Sequence, residues 1–186
     1  MKNENIEKEI HITFIGKSKV GKTSIFHRFW NEEFNEKVES TGTVEKYKIK
    51  IFSYKDKNYQ IYVTDTPGSE KEDLEQIISE YCRFSQGFFL IFDLTNRNSL
   101  DNINFWIDKI LKINSNNKFI ILGNKCDAKK IMSEEFIKDK FQYGLNNIKY
   151  LVTSAKTGKN IKQAFKAMID LIEGNELSED KCCKCC

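Results

Sequence analysis

Eight consecutive residues, Gly16-Lys17-Ser18-Lys19-Val20-Gly21-Lys22-Thr23, fit the pattern G-x-x-x-x-G-K-[ST], whose chemistry is the cradling of phosphate. The two glycines let the backbone curl so that its N–H groups converge on phosphate oxygens. A helix N-terminus behind them adds partial positive charge, and Lys22 adds a full one. Thr23 offers a hydroxyl to Mg²⁺. Ser18, Lys19, Val20 and Ser24 belong to the same loop and first helical turn and are counted with the phosphate-binding residues. Lys19 stands where such loops often carry glycine, and its side chain is expected in solvent.

Two further runs bear on the choice of base. In Asn124-Lys125-Cys126-Asp127, the Asp127 carboxylate is suited to accept from the N1–H and N2 amino group of a guanine, whereas adenine would leave it unpaired. A site built on such bonds can discriminate by ~10⁴-fold. Thr153-Ser154-Ala155-Lys156 could present backbone N–H groups to the guanine O6. Asp65-Thr66-Pro67-Gly68 is a D-x-x-G run, unspecific as a pattern, but it follows an expected strand.

These residues need a scaffold that brings distant loops together. Ile10 to Ile15, then a helix from about Lys22 to Trp30, read as strand, glycine loop, helix. Val44 to Tyr54 and Tyr59 to Thr64 read as a hairpin turned by Lys55-Asp56-Lys57-Asn58. A helical segment is expected from about Glu70 to Phe84. The run Gly87 to Leu94 suits a strand buried on both faces. Leu100, Ile103, Trp106, Ile107, Ile110 and Leu111 stripe a helix, Phe119 to Leu122 form a strand, and Ser133 is placed to cap a helix through about Tyr143. Tyr150 to Val152 is the last strand. Ile161, Phe165, Met168 and Ile172 stripe a helix that stops at Gly174. Alternating strands and helices imply an α/β fold: a mostly parallel sheet with helices on both faces and ligands at the carboxyl ends of its strands.

Phosphate loop, D-x-x-G, N-K-x-D and S-A-K in that order resemble the Ras superfamily of small GTPases over roughly Ile10 to Gly174. The resemblance implies a three-layer P-loop NTPase G domain with a six-stranded sheet over residues 10–174, preceded by a polar extension (1–9) and followed by a flexible tail (175–186). It implies GTP and GDP as ligands with Mg²⁺. It places Phe34, eleven residues after Thr23, edge-on to the guanine, and Lys125 along the face of the base. It makes Thr41, eighteen residues after Thr23, the switch threonine that binds Mg²⁺ and senses the γ-phosphate. Asp65 would hold Mg²⁺ through water, and the Gly68 N–H would meet the γ-phosphate; loss of that phosphate then releases both loops.

One departure from the family bears on the reaction. Relatives commonly read D-T-A-G-Q where this chain reads Asp65-Thr66-Pro67-Gly68-Ser69, so Ser69 stands at the position of the water-orienting glutamine. Lys22, Thr41, Gly68 and Ser69 are therefore the candidate catalytic residues, with slow intrinsic hydrolysis expected. Catalysis of phosphoryl transfer rests on placing the water and offsetting charge, and a serine hydroxyl lacks the reach of a glutamine amide. The segment from Gly68 to Gly87 is two residues longer than usual for the family, which makes Glu72 and Gln76 alternative water-orienting groups.

The 186 residues with 40% hydrophobic content fit one domain. With 30 basic and 27 acidic residues the net charge is only +3, so no nucleic-acid partner is expected. Met1 to Ile10 lacks the apolar core of a secretory signal, and the run Phe88 to Phe92 is too short to span a bilayer. Cys82 and Cys126 lie in the body, while Cys182, Cys183, Cys185 and Cys186 crowd the end, where a disulfide framework or zinc cage is a poor fit. Cys185-Cys186 resembles the doubly geranylgeranylated ending of Rab-type proteins; a C-a-a-X reading would use Cys183 with Lys184 in a poor position. Three acidic and two basic residues from Glu176 to the end make no polybasic patch, so stable anchoring needs two lipids, either two prenyl groups or prenyl plus palmitoyl on Cys182 or Cys183. The expectation is a monomeric GTP/GDP switch in vesicle traffic, on the cytoplasmic side of intracellular membranes and cycling with the cytosol. Its expected partners are an exchange factor, an activating protein, effectors and a GDI-type lipid-shielding chaperone. The alternatives are a Ras-like signalling GTPase, or a hydrolysis-deficient scaffold that stays loaded with GTP.

Overall fold

The computed structural model describes residues 6–36, 45–47, 51–68, 79–81, 83–141 and 149–175, leaving aside the side chains of 45–47 and 138. The central strand β1 (Lys8–Ile15) feeds the glycine loop, and helix α1 (Lys22–Asn31) follows at once. Strands β2 (Glu45–Tyr47), β3 (Ile51–Tyr54) and β4 (Lys57–Asp65) come next, then β5 (Gly87–Asp93). A 3₁₀ turn at Arg97–Ser99 leads into α2 (Ile103–Ile113), β6 (Lys118–Asn124), α3 (Glu134–Lys140), β7 (Lys149–Val152) and α4 (Ile161–Glu173).

The strands line up as β2-β4-β1-β5-β6-β7, with β3 also on β4. All pairs are parallel except those of β2 and β3 with β4. The edge expected as one strand, Val44 to Tyr54, is thus two ladders on the same neighbour, and seven segments occupy six strand positions. Between Tyr47↔Val63 and Ile51↔Gln60 the edge advances four residues while β4 advances three, so one ladder cannot run through in register.

The hairpin turn is tighter than expected. Lys55 and Asp56 alone make it, with φ of 49° and 60°, while Lys57 and Asn58 pair with Tyr54 and Ser53. Two residues at positive φ match the right-handed twist of the flanking strands. Of the expected helix from Glu70 to Phe84, helical structure is described at 79–81, and residues 69–78 and 82 lie outside the described residues. Ser133 does cap α3, its Oγ accepting from the Phe136 N–H at 3.1 Å; residues 142–148 lie outside the described set. Gly174 ends α4 in the left-handed region at φ 70°, as expected.

β5 is buried along its whole length, and its side chains alternate between two cores. Phe89 and Ile91 join Ile12, Phe14, Ile25, Phe29 and Phe165 beneath α1 and α4, whereas Phe88, Leu90 and Phe92 meet Trp106, Ile107, Ile110 and Ile137 beneath α2 and α3. A strand with helices on both sides has no polar face, which is why its sequence reads as a continuous apolar run. These layers leave the loops after β1, β4, β6 and β7 at one edge of the sheet.

Candidate functional site

At that edge lies a cavity of about 460 Å³. It is lined from the phosphate loop by Ser18, Lys19, Gly21, Lys22, Thr23 and Ser24, and from later segments by Phe34, Gly68, Asn124, Lys125, Asp127, Ala155 and Lys156. Loops separated by more than a hundred residues in sequence meet here because their strands are neighbours in one parallel sheet.

The phosphate end starts from Gly21, at φ 97°. A Cβ there would stand 2.4 Å from Asn124 Nδ2, so glycine is required by both backbone and neighbour. The N-cap position of α1 is Gly21, which has no side chain to cap the first-turn amides. Lys22 is buried, and its ammonium donates to the Gly16 carbonyl at 2.8 Å and the Lys17 carbonyl at 3.1 Å. The Thr23 hydroxyl donates to Asp65 Oδ2. Gly68 approaches so closely that a Cβ would sit 2.6 Å from Ser18 N and Cβ. Thr66, fully buried, donates to the Phe14 carbonyl at 2.8 Å and ties the D-x-x-G run to β1.

A hydroxyl and a buried carboxylate brought together are hard oxygen donors of the kind Mg²⁺ takes alongside phosphate oxygens and water, so Thr23 and Asp65 fit that ion. Among the described residues no three His, Cys, Asp or Glu side chains form a metal cage of protein groups alone. Thr41 and Ser69 lie outside the described residues, as do Glu72, Gln76, Cys82 and the terminal Cys185 and Cys186.

The base end is held by side-chain bonds to loops. Asn124, buried, donates from Nδ2 to the Val20 carbonyl at 2.9 Å and accepts the Ala155 N–H on Oδ1 at 3.1 Å. Lys125, at φ 64°, donates to the Lys19 carbonyl at 2.8 Å and pairs with Asp93 Oδ2 at 2.7 Å. Buried Ser154 donates to Asp127 Oδ1 at 2.5 Å and accepts the Thr157 N–H at 3.0 Å. Asp127 itself is exposed to the cavity. Because the Ala155 N–H already meets Asn124, a guanine O6 would share that donor or take the next amide, Lys156.

Val20, Gly16, Asp65 and Ser154 are buried behind the lining and shape it from within. Phe34 lines the cavity and also packs on the core beneath α1. Lys19 is exposed, as expected, with its backbone at φ 62°.

Sequence reasoning missed four residues. Asn35 and Glu36 complete the lining, and Glu36 pairs with Lys156 at 2.8 Å across the cavity mouth. The Lys156 hydrogen bond, then its charge, holds the Glu36 carboxyl below its ordinary pKa, and the same bond raises the lysine. Asp93 holds Lys125, and its other oxygen accepts from the Thr95 N–H at 2.8 Å. Arg28 on α1 bonds the carbonyls of Ala155 and Lys156. Contacts this distant in sequence leave no spacing signal. His11 on β1 stacks on Tyr62 with centroids 4.5 Å apart, outside the cavity.

Comparison with known proteins agrees with this geometry. The family model described as Ras family matches residues 11–174. The chain is similar to Ras-related protein Rab-8B of Homo sapiens, 36% identical over 158 residues, covering 83% of this chain and 73% of that one. It is similar as well to Ras-related protein Rab-8A of Bos taurus, 35% identical over 176 residues, covering 88% and 82%. With the matched span coinciding with the sheet, its helices and the loops around the cavity, the chain belongs to the Ras family and is a Rab-like small GTPase.

Proposed function

We propose that this GTPase is a GTP/GDP switch in vesicle traffic, working at the cytoplasmic face of intracellular membranes with slow intrinsic hydrolysis. The observation that carries the nucleotide assignment is one cavity with Lys22 and Thr23 at one end and Asp127, steered by Ser154, at the other. Asp127 accepts from guanine N1–H and N2. Lys125 lays its stem along the base while its ammonium stays on the Lys19 carbonyl and Asp93. At the other end the Lys22 ammonium exchanges the Gly16 and Lys17 carbonyls for phosphate oxygens. Thr23, Thr41 and Asp65 would hold Mg²⁺, which would offset charge on those oxygens.

Hydrolysis requires a water placed in line with the γ-phosphate. Ser69 replaces the glutamine amide that would both accept from this water and donate to the phosphate. A ten- to hundredfold loss corresponds to about 1.4–2.7 kcal/mol of barrier. An activating protein supplies the rest, and a scaffold permanently loaded with GTP is the reading to adopt if no such protein accelerates turnover. Regulators and effectors engage the segments around Thr41 and Gly68. Cys185 and Cys186 carry two prenyl groups, which a GDI-type chaperone shields in the cytosol.

Labelled GTP, GDP and ATP bound with Mg²⁺, followed by single-turnover phosphate release, test the proposal. Guanine nucleotides should be retained and ATP should not, and Ser69→Gln should release phosphate at least ten times faster than wild type. No acceleration would remove the glutamine argument. Mass spectrometry of the membrane-bound protein should find both terminal cysteines modified; an unmodified tail there would refute the anchor.

A further inference from the structure

We propose that Arg28 is a positioning residue for base recognition, holding from α1 the turn that faces the guanine; the proposal rests on the guanine-nucleotide reading above. Its guanidinium donates from Nε to the Ala155 carbonyl and from Nη2 to the Lys156 carbonyl, both at 2.7 Å, and from Nη1 to the Glu32 carbonyl at the end of its own helix. Its Cδ lies 3.5 Å from where a Cβ of Gly158 would stand, so the stem rests on the far side of the same turn.

Peptide planarity converts these two bonds into control of the site. The Ala155 carbonyl shares a plane with the Lys156 N–H, and the Lys156 carbonyl shares one with the Thr157 N–H. Fixing the first carbonyl orients the amide next to the one already bonded to Asn124. Fixing the second orients the Thr157 N–H that holds Ser154 Oγ at 3.0 Å, and that hydroxyl donates to Asp127. One planar cation therefore sets both a donor for the guanine O6 and the acceptor for N1–H. A lysine ammonium in its place would lack the planar fork that sets the two carbonyls at a fixed angle to each other. Since α1 also begins with Lys22 and Thr23, the phosphate end and the base turn are mounted on one helix.

The test uses the full chain and two nucleotides, GDP and purine riboside diphosphate, which lacks O6, N1–H and the N2 amino group alike. Arg28→Met should weaken GDP about tenfold or more, the effect of losing well-aligned bonds, while leaving the purine nucleotide within about twofold of wild type. Arg28→Lys should recover part of the loss. Hydrogen exchange at the Lys156 and Thr157 amides should quicken in both variants while β1 and β5 stay protected. Equal weakening of the two nucleotides, or unchanged GDP affinity, would overturn the role, as would unaltered exchange in Arg28→Lys should the methionine variant not fold. Failure of the underlying reading looks different: wild type would then hold ADP as well as GDP.

Discussion

The two ends of the cavity are built by different means. At the base end the recognition groups are held by side chains whose bonds run to other loops: Asn124 to Val20 and Ala155, Lys125 to Lys19 and Asp93, Ser154 to Asp127. At the phosphate end they are held by one another, Lys22 on the carbonyls of its own loop and Thr23 on Asp65. A ligand at the base end can leave nearly all these bonds in place. At the phosphate end it must exchange them, so binding there is coupled to rearrangement. On the proposed reading, selectivity for the base is built into the fold, while sensitivity to the phosphates comes from groups that change partners.

The largest expected effect separates the ends. Wild type should prefer GDP over ADP by about 10⁴-fold, and Asp127→Ala should reduce that ratio to about tenfold without unfolding the exposed site, as competition binding would show. A ratio that survives would break the assignment of the base end. Next, Thr23→Ala should speed GDP release by about one to two orders of magnitude in Mg²⁺ and make it insensitive to chelation, while the GDP-to-ADP ratio stays as in wild type. If the ratio also falls, the ends are not separable as described.

Two smaller effects probe stability. Asn124→Ala removes two buried bonds that join the base loop, the phosphate loop and the S-A-K turn, and should cost about 2–3 kcal/mol in denaturant unfolding. Gly21→Ala, forced to φ 97° and against Asn124 Nδ2, should cost about 2 kcal/mol. The smallest concerns the mouth. Because Lys156 depresses the Glu36 pKa, the pair contributes above the unfolded carboxyl value and loses that contribution as pH falls through the lower folded one. An NMR titration should find Glu36 below its ordinary range, and Lys156→Gln should return it there.

Much of this was legible from residue order. Each chemistry-bearing run follows a segment whose apolar pattern already marks a strand, so the runs had to share one edge of a parallel sheet. The glycine stop at 174 and the Ser133 cap were readable from local residue types, whereas Phe34 was placed only through the family resemblance. The edge strand was not, because its division into β2 and β3 depends on register against β4, a count made between strands. Nor was the short turn at Lys55-Asp56, where Asp56 is a weak signal of positive φ and Lys55 none.

What the sequence determined by itself is most of the residues that line the cavity, since within each short run their spacing is enforced by local backbone geometry. What tertiary structure alone decided is how those groups are aimed. Asp93, Arg28 and Glu36 reach their partners 32, 127 and 120 positions away, and no local pattern encodes an approach that only packed strands and helices create.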